Sequence, residues 1–206
     1  MKRSSTEARA SDRIRATAAE LFYRQGIRAV GVDELVTRAK ATKPSLYRSF
    51  VSKDELIAAY LRDFAQAFWQ RFDAAVDAHP GNPRAQLREL FARSARRTAH
   101  AHYRGCGLTN AAIEYPDRAH PAHQVVQRTK REVRRRLRSI ARRLGVREPH
   151  LLADGLTMLL EGAYVSRQIF GTDSPGRSLD RLANQMIDRW PRRKRGKLGG
   201  RAPSRR

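Results

Sequence analysis

Nearly every patterned segment of the chain repeats its apolar residues with the period of an α-helix. In the first segment, Ile14, Ala18, Leu21 and Phe22 recur at the spacing that places them on one helical face. Gly26 predicts the end of this helix, since glycine readily adopts the left-handed conformation that closes helices. No stretch of useful length alternates apolar and polar residues as a half-buried strand would. The pattern therefore predicts an all-α fold.

About nine helices are expected, and two of them begin at clear capping residues. Thr42 is suited to cap a very short third helix, while Ser52 and Glu55 form a capping box that opens a long fourth helix. The predicted ranges are 11–25, 32–39, 43–49, 52 to about 76, about 87–95, 108–114, 121–144, 151–170 and 179–190. This order predicts a compact three-helix head over 1–52, a helical body over 53–190 and a disordered basic tail over 191–206.

The eighth and ninth predicted helices carry more apolar surface than a monomeric body needs. The eighth is apolar almost all round, which indicates a helix covered on two sides. We therefore expect both helices to form an isologous four-helix interface between two copies of the chain. The residues predicted for this dimer interface are Leu156, Leu160, Tyr164, Leu179, Leu182 and Met186.

Composition narrows the possible partners and compartment. The 206 residues carry a net charge of +23, which favours DNA, RNA or anionic membranes as partners, and their 40% hydrophobic content is enough for a packed core. No apolar run is long enough to span a membrane, and no apolar segment follows the basic start as in a secretory signal. The single cysteine, Cys106, cannot form an internal disulfide, so we expect a reducing cytoplasm.

The second and third helices, joined by a three-residue turn, have the dimensions of a helix-turn-helix at about 31–50. The core positions would be Leu35, Val36, Ala39, Leu46 and Phe50. This leaves Lys43, Ser45, Tyr47 and Arg48 near the exposed side of the third helix, where they are suited to phosphates and base edges. Short helix pairs are also common in all-α proteins, so spacing alone leaves a purely structural role open.

The residues themselves carry a more specific likeness. Arg13 to Phe22, Val32-Asp33-Glu34-Leu35, and Leu46-Tyr47-x-x-Phe50-x-x-Lys53-x-x-Leu56 resemble the TetR family of bacterial transcriptional repressors over about 11–61. The resemblance implies a DNA-binding head followed by a ligand-binding, dimer-forming body. It implies DNA contacts by Gly31, Val32, Thr42, Lys43, Ser45, Tyr47, Arg48, Ser49 and Lys53.

Three positions depart from the family pattern. Gly31 stands where the family often has a threonine, so a hydroxyl cap and phosphate contact are absent. Lys40 stands where a turn glycine is usual and would carry the cost of a left-handed conformation. Ser49 stands where histidine is frequent. These departures bear on which operator is read, but they leave the motif intact.

The segment 105–121 also resembles the body of many TetR-like regulators, although more loosely. A ligand pocket is expected among the fourth to eighth helices, and its predicted lining is Phe64, Phe68, Phe91, Cys106, Thr109, Asn110, Ile113, Glu114, Met158 and Glu161. Because pockets and cores use the same residue types, the apolar members could equally be plain core. Asn110 and Glu114 are the better candidates, since polar groups in apolar surroundings need partners.

Other chemistries find less support. No hydrolase, P-loop, zinc-protease or complete dinucleotide motif is present, so we expect no enzyme, cofactor or metal. The spacing of His100, His102, His120 and His123 near Cys106 matches no common metal site, and redox sensing by a lone thiol would lack a resolving partner.

The sequence thus predicts a ligand-responsive repressor that binds a palindromic operator as a homodimer and is released by an unidentified small molecule. Only +6 of the charge lies in residues 1–50, while the arginine-rich seventh helix and the tail carry much of the excess. We read that excess as a solvated face and as non-specific attraction to phosphates. The alternative is a basic protein that binds nucleic acid without sequence preference.

Overall fold

The computed structural model describes residues 5–192, and the regular elements of this range are helices, as predicted. It has nine α-helices, two short 3₁₀ helices before the last of them, and a lone β-bridge between Val146 and Arg192. The α-helices are α1 (Ser5–Gln25), α2 (Val32–Arg38), α3 (Lys43–Ser49), α4 (Lys53–Asp77), α5 (Pro83–Thr98), α6 (Gly107–Glu114), α7 (Pro121–Arg143), α8 (Pro149–Phe170) and α9 (Leu179–Arg189). The basic tail predicted for 191–206 lies, from residue 193 onward, outside the described residues.

The first helix begins at Ser5, six residues before its predicted start. Residues 5–10 are polar or small, so no apolar period marks them, although several are strong helix formers.

The predicted cap of α4 agrees better with the structure: the hydroxyl of Ser52 accepts from the backbone N–H of Glu55 at 3.1 Å. The Glu55 carboxylate returns to the N–H of Val51 at 2.6 Å, one residue before the cap. The start of α4 is therefore held by the Ser52 half of a capping box and by a Glu55 contact displaced by one residue.

The head consists of α1, α2 and α3 packed around one apolar core. The apolar face of α1 is fully buried against the inner faces of the two short helices. All five predicted core positions of the helix-turn-helix are buried, which confirms that part of the prediction: Leu35, Val36, Ala39, Leu46 and Phe50. Burial of these side chains fixes which face of α3 remains turned to solvent.

The body is organised around α7 and α8, which pack along each other, with α4 and α5 closing one side and α9 lying on α5 and α8. One face of α8 is buried through Leu152, Leu156 and Leu160, while Leu151 and Met158 remain largely exposed. Within the described residues, therefore, α8 is covered on one side and keeps an apolar surface on the other. No helix in this range is long and apolar enough to cross a bilayer.

Candidate nucleic-acid interface and ligand cavity

The turn between α2 and α3 contains one residue in a left-handed conformation, Lys40, and is held by hydrogen bonds from Arg13 on α1. Lys40 adopts a left-handed conformation with φ of 47°, and its N–H donates to the carbonyl of Thr37 at 3.1 Å. The guanidinium of Arg13 on α1 donates to the carbonyl of Ala39 at 3.0 Å and to that of Lys40 at 3.1 Å. The angle between the two short helices is therefore tied to α1, a role for Arg13 that its sequence position did not suggest.

The outer face of α3 presents the polar side chains that the sequence predicted. Tyr47 is 49% exposed, and Lys43 and Arg48 are exposed as well. Ser45 is half-buried, but its hydroxyl lies 3.0 Å from that of Thr42 and accepts from Arg48 Nη2 at 3.2 Å. The four groups predicted to read bases or phosphates thus share one accessible surface, on which Ser45 and Arg48 are linked by a hydrogen bond.

The remaining predicted contacts surround this surface. Gly31 is exposed and caps α2 without a side-chain hydrogen bond, as expected for a residue that lacks the family's hydroxyl. Val32 and Ser49 are half-buried, and the Ser49 hydroxyl donates to the carbonyl of Ser45 at 3.0 Å. The ammonium of Lys53 lies 3.3 Å from the carbonyl of Ile27, so it anchors α4 to the loop between α1 and α2.

An acidic residue of α2 contacts Lys43 on this accessible surface of α3. The ammonium of Lys43 pairs with Asp33 of α2 at 2.7 Å, and this hydrogen bond and charge raise the pKa of Lys43. Both side chains are exposed, with 53% and 81% of their surface accessible. Exposed pairs of this kind contribute little to stability, so Lys43 can exchange Asp33 for a phosphate at small cost.

The body contains a cavity between α4, α5, α7 and α8, with about 720 Å³ of space when its opening is included. Of the predicted lining residues, Phe64, Phe68, Phe91 and Cys106 lie in its wall. The wall also contains Leu160 and Tyr164, which were expected at a dimer interface. Both are buried in the core of their own chain, with 7% and 5% of their surface exposed.

Six predicted lining residues lie outside this cavity, so their assignment to its wall is corrected. No residue of α6 lines the cavity, which reaches only Cys106 just before that helix, and on α8 its wall is formed by Leu160 and Tyr164 rather than by Met158 or Glu161. Ile113 and Met158 are 71% and 69% exposed. Asn110 bonds to Gln168 at 3.0 Å on the surface.

Thr109 and Glu161 meet Lys130 instead, in a polar cluster beside the cavity. The ammonium of Lys130 lies 2.5 Å from the Glu161 carboxylate, 2.9 Å from the Thr109 hydroxyl and 3.5 Å from the sulfur of Cys106. The cluster satisfies a partly buried charge and joins the start of α6 to the middle of α7 and of α8. Within the described residues no three histidine, cysteine or acidic side chains gather as a metal site would require.

Three basic residues of the cavity wall escaped the sequence-based prediction: Arg71, Arg93 and Arg97. Their positions did carry a signal. Arg71 follows Phe68 by three residues and Phe64 by seven, so it interrupts the apolar stripe of α4. Arg93 and Arg97 follow Leu90 by three and seven residues on α5. A charged residue inside an apolar stripe was the indication of a polar group facing the cavity.

A second set of contacts, also missed, joins the body to the head through the two ends of α6. At its far end, the Glu114 carboxylate accepts from the backbone N–H of Arg28 at 2.8 Å, while the Arg28 guanidinium lies over the ring of Tyr115. At its near end, the hydroxyl of Tyr23 donates to the carbonyl of Gly105 at 3.2 Å. Glu114, predicted as a pocket residue, therefore reaches the loop that precedes α2.

The residues predicted for the dimer interface fall into a buried group and an accessible group. Leu156 and Leu179, with 0% and 1% exposure, point into the core, together with Leu160 and Tyr164. Leu182 is 44% exposed and Met186 half-buried, so these two remain accessible on α9. For the four buried side chains the predicted position is corrected, because a helix that is apolar all round does not reveal which face its own chain covers.

Comparison with known proteins finds a matching family model for the head and another for the body. A family model described as bacterial regulatory proteins of the tetR family matches residues 14–60, and one described as the tetracyclin repressor-like C-terminal domain matches residues 81–186. The HTH-type transcriptional repressor KstR2 of Mycobacterium tuberculosis (strain ATCC 25618 / H37Rv) is 34% identical over 85 residues, or 41% of this chain and 42% of that protein. KstR2 of Mycolicibacterium smegmatis is 30% identical over 98 residues, 48% of this chain and 47% of that protein. The matches thus span less than half the length of these curated relatives.

Two solved structures are similar over most of the chain. A TetR-family transcriptional regulator from Streptomyces coelicolor has a TM-score of 0.80 and 28% identity, covering 88% of this chain and 93% of its own. A tetr-transcriptional regulator from Streptomyces avermitilis has a TM-score of 0.77 and 32% identity, covering 87% and 96%.

Proposed function

Because the chain belongs to the TetR family of bacterial regulatory proteins, we propose that it is a ligand-responsive repressor. It binds a palindromic operator as a homodimer, and a small molecule in the body cavity releases it. The observation that carries this proposal is the outer face of α3, where Lys43, Ser45, Tyr47 and Arg48 share one accessible surface above a fixed turn. A helix with this exposure and polarity is suited to the major groove.

The proposed DNA contacts are of two kinds, to base edges and to the phosphate backbone. Tyr47, Arg48 and Ser45 read base edges, because they lie on the outer face of α3 and offer donors and acceptors. Lys43 exchanges its pair with Asp33 for a phosphate, and Lys53 lies beside the head at the start of α4. Gly31, Val32, Thr42 and Ser49 contact the DNA backbone at the starts of α2 and α3 and at the end of α3.

Binding to DNA is tested by selecting operators from a random pool and titrating the selected duplex at about 150 mM salt. The proposal expects a preference over random DNA of about 10³ or more. Replacing Arg48 or Tyr47 by Ala should weaken operator binding by about 10- to 100-fold. The matched control is Arg142→Gln, which removes one charge from the exposed end of α7 and should leave the preference unchanged. Equal binding to all sequences, steeply dependent on salt, would instead support the non-specific alternative.

Dimerisation is proposed through the apolar face of α8 that its own chain leaves uncovered, together with α9. Met158 is 69% exposed near the middle of α8, and Leu182 of α9 is 44% exposed. An added Cβ at Gly162 would meet nothing within 4 Å in the same chain, so a partner helix can approach closely there. Such a dimer would place two heads about 34–36 Å apart, one turn of DNA.

Sedimentation of Met158→Glu tests this interface. A buried, unpaired carboxylate on each protomer should convert the dimer into a monomer at micromolar concentration. Ile113→Glu is the matched control, since Ile113 is equally exposed but lies on α6. If both variants remain dimeric, the interface lies elsewhere.

The route from cavity to head is proposed to be α6. The residue that precedes it, Cys106, lies in the cavity wall, and its last residue, Glu114, holds the loop before α2 through the N–H of Arg28. A ligand that displaces α4 or α6 would move this contact and change the separation of the two heads. Such coupling typically amounts to about 1–3 kcal/mol in operator affinity. Equal operator affinities with and without a bound effector would refute it.

A further inference from the structure

The wall of the body cavity has two chemically different parts. Its deep part is apolar and buried: Phe91 and Leu137 are each 2% exposed, and Val133 is 5% exposed. The basic side chains of the wall are more accessible, since Arg71 is exposed and Arg97 is half-buried. The cavity therefore offers an apolar interior with positive charge towards its opening.

Two of the three wall arginines have no acidic partner in the described part of the chain. Arg93 is paired with Glu89, whose carboxylate lies 2.7 Å from its Nε. Arg97 instead lies over the rings of Phe64 and Tyr103, with its guanidinium carbon 5.9 and 5.8 Å from the ring centres. Desolvation of its guanidinium beside the cavity and the neighbouring charge of Arg97 lower the pKa of Arg71. Two positive charges thus lie in the wall of one apolar space, and no acidic side chain of the described residues pairs with either of them.

We propose that the effector bound by this cavity is an amphipathic organic anion, with an apolar chain or ring system inside and one anionic head held by Arg71 and Arg97. The inference rests on the proposed function, because it names the chemical class of the ligand for the same site. The anionic head group that the two arginines would bind is a terminal carboxylate or phosphate.

The hydrogen-bonding chemistry of the guanidinium group disfavours ligands with a cationic or a neutral head group. Arginine offers five N–H donors and accepts no hydrogen bond, and its planar fork matches two oxygens of a carboxylate or phosphate. An ammonium head would add a third positive charge and is repelled. An alcohol can accept one hydrogen bond but leaves both charges uncompensated, so it forgoes the charge-assisted contacts that distinguish an anion.

Binding of four probes with the same ten-carbon chain separates these heads. Decanoate, decyl phosphate, decan-1-ol and decylamine are titrated into the full chain by calorimetry. We expect the two anions to bind at least tenfold more tightly than the alcohol, and decylamine to bind least. The carboxylate-to-phosphate ratio identifies which head the site prefers. If the alcohol or the amine binds as tightly as the anions, or if no anion binds, the inference is overturned.

Variants assign the effect to the two arginines. Arg71→Gln and Arg97→Gln should each weaken decanoate binding by about 10- to 100-fold while leaving decan-1-ol binding unchanged. Arg71→Lys, which keeps the charge but loses the planar fork, should bind decanoate more tightly than Arg71→Gln and more weakly than the wild type. The matched control Arg142→Gln should bind decanoate normally. Unchanged thermal unfolding midpoints confirm that the variants fold, and loss of alcohol and anion binding together would contradict the assignment to the head group.

The same probes separate this inference from the proposed function. If decanoate binds with the expected dependence on Arg71 but leaves operator affinity unchanged, the ligand class stands and release by that ligand fails. If a neutral compound binds in the cavity and releases the operator, the proposed function stands and the anionic class fails.

Discussion

Replacing Lys40 by Gly should stabilise the protein, because the turn of the helix-turn-helix requires a left-handed residue. Lys40 has φ of 47°, a conformation that costs a residue with a Cβ about 1–2 kcal/mol. Glycine avoids that cost but loses more conformational freedom on folding, by about 0.4–1 kcal/mol. The net gain expected is about 0.5–1 kcal/mol. The backbone hydrogen bonds of Lys40 with Thr37 and Arg13 are available to glycine as well.

Urea unfolding followed by circular dichroism, at one protein concentration, measures this gain. Lys40→Ala is the control, since alanine also lacks the lysine side chain but keeps the Cβ. Only the glycine variant should show a higher midpoint, with an unchanged dependence on urea. A glycine variant no more stable than Lys40→Ala would refute the reasoning, because the gain could not then come from relief of backbone strain.

Three other outcomes are expected. Replacing Glu114 by Ala removes the acceptor of the Arg28 N–H, so deuterium uptake at that amide should rise at least severalfold; unchanged uptake would argue against the contact. Gly107→Ala should destabilise by about 1–3 kcal/mol in urea, because an added Cβ would lie 2.9 Å from the Tyr60 hydroxyl, and an unchanged midpoint would contradict this packing. Two arginines lower the pKa of Glu132 to about 2 from 4.5, so its stabilisation exists above pH 4.5 and fades as the pH falls towards 2. The stability difference between wild type and Glu132→Gln should therefore shrink between pH 5 and pH 2.5; a constant difference would be inconsistent.

The head could be predicted closely because its determinants are local. The helix period, the Thr42 and Ser52 caps and the apolar positions of α2 and α3 lie within about 25 residues. Once Leu35 and Leu46 are buried, the opposite face of α3 must meet solvent. The left-handed turn at Lys40 was expected from the resemblance to the TetR family, in which a glycine is usual at this position. The clamp from Arg13 was not, because it joins residues 26 positions apart.

The body was harder to predict because its sites join residues distant in sequence. Glu114 was assigned to the pocket, yet it bonds to Arg28 86 positions earlier. Met158 and Leu160 are both apolar and two residues apart, but one is exposed and the other lines the cavity. Periodicity reports that a helix has an apolar face, and it reports nothing about which partner covers that face when every face is apolar.

The sequence by itself determined the all-α class, the position of the helix-turn-helix and the residues exposed on α3, since these depend on helix period and nearby caps. Tertiary structure alone decided which face of α8 is buried, where the cavity lies and which charges face it. The reason is that packing brings together α4, α5, α7 and α8 from across about 120 residues. The net charge of +23 indicated a polyanionic partner, but it did not indicate which charged side chains share a site. Only the packing of these helices places Arg71 and Arg97 beside an apolar space.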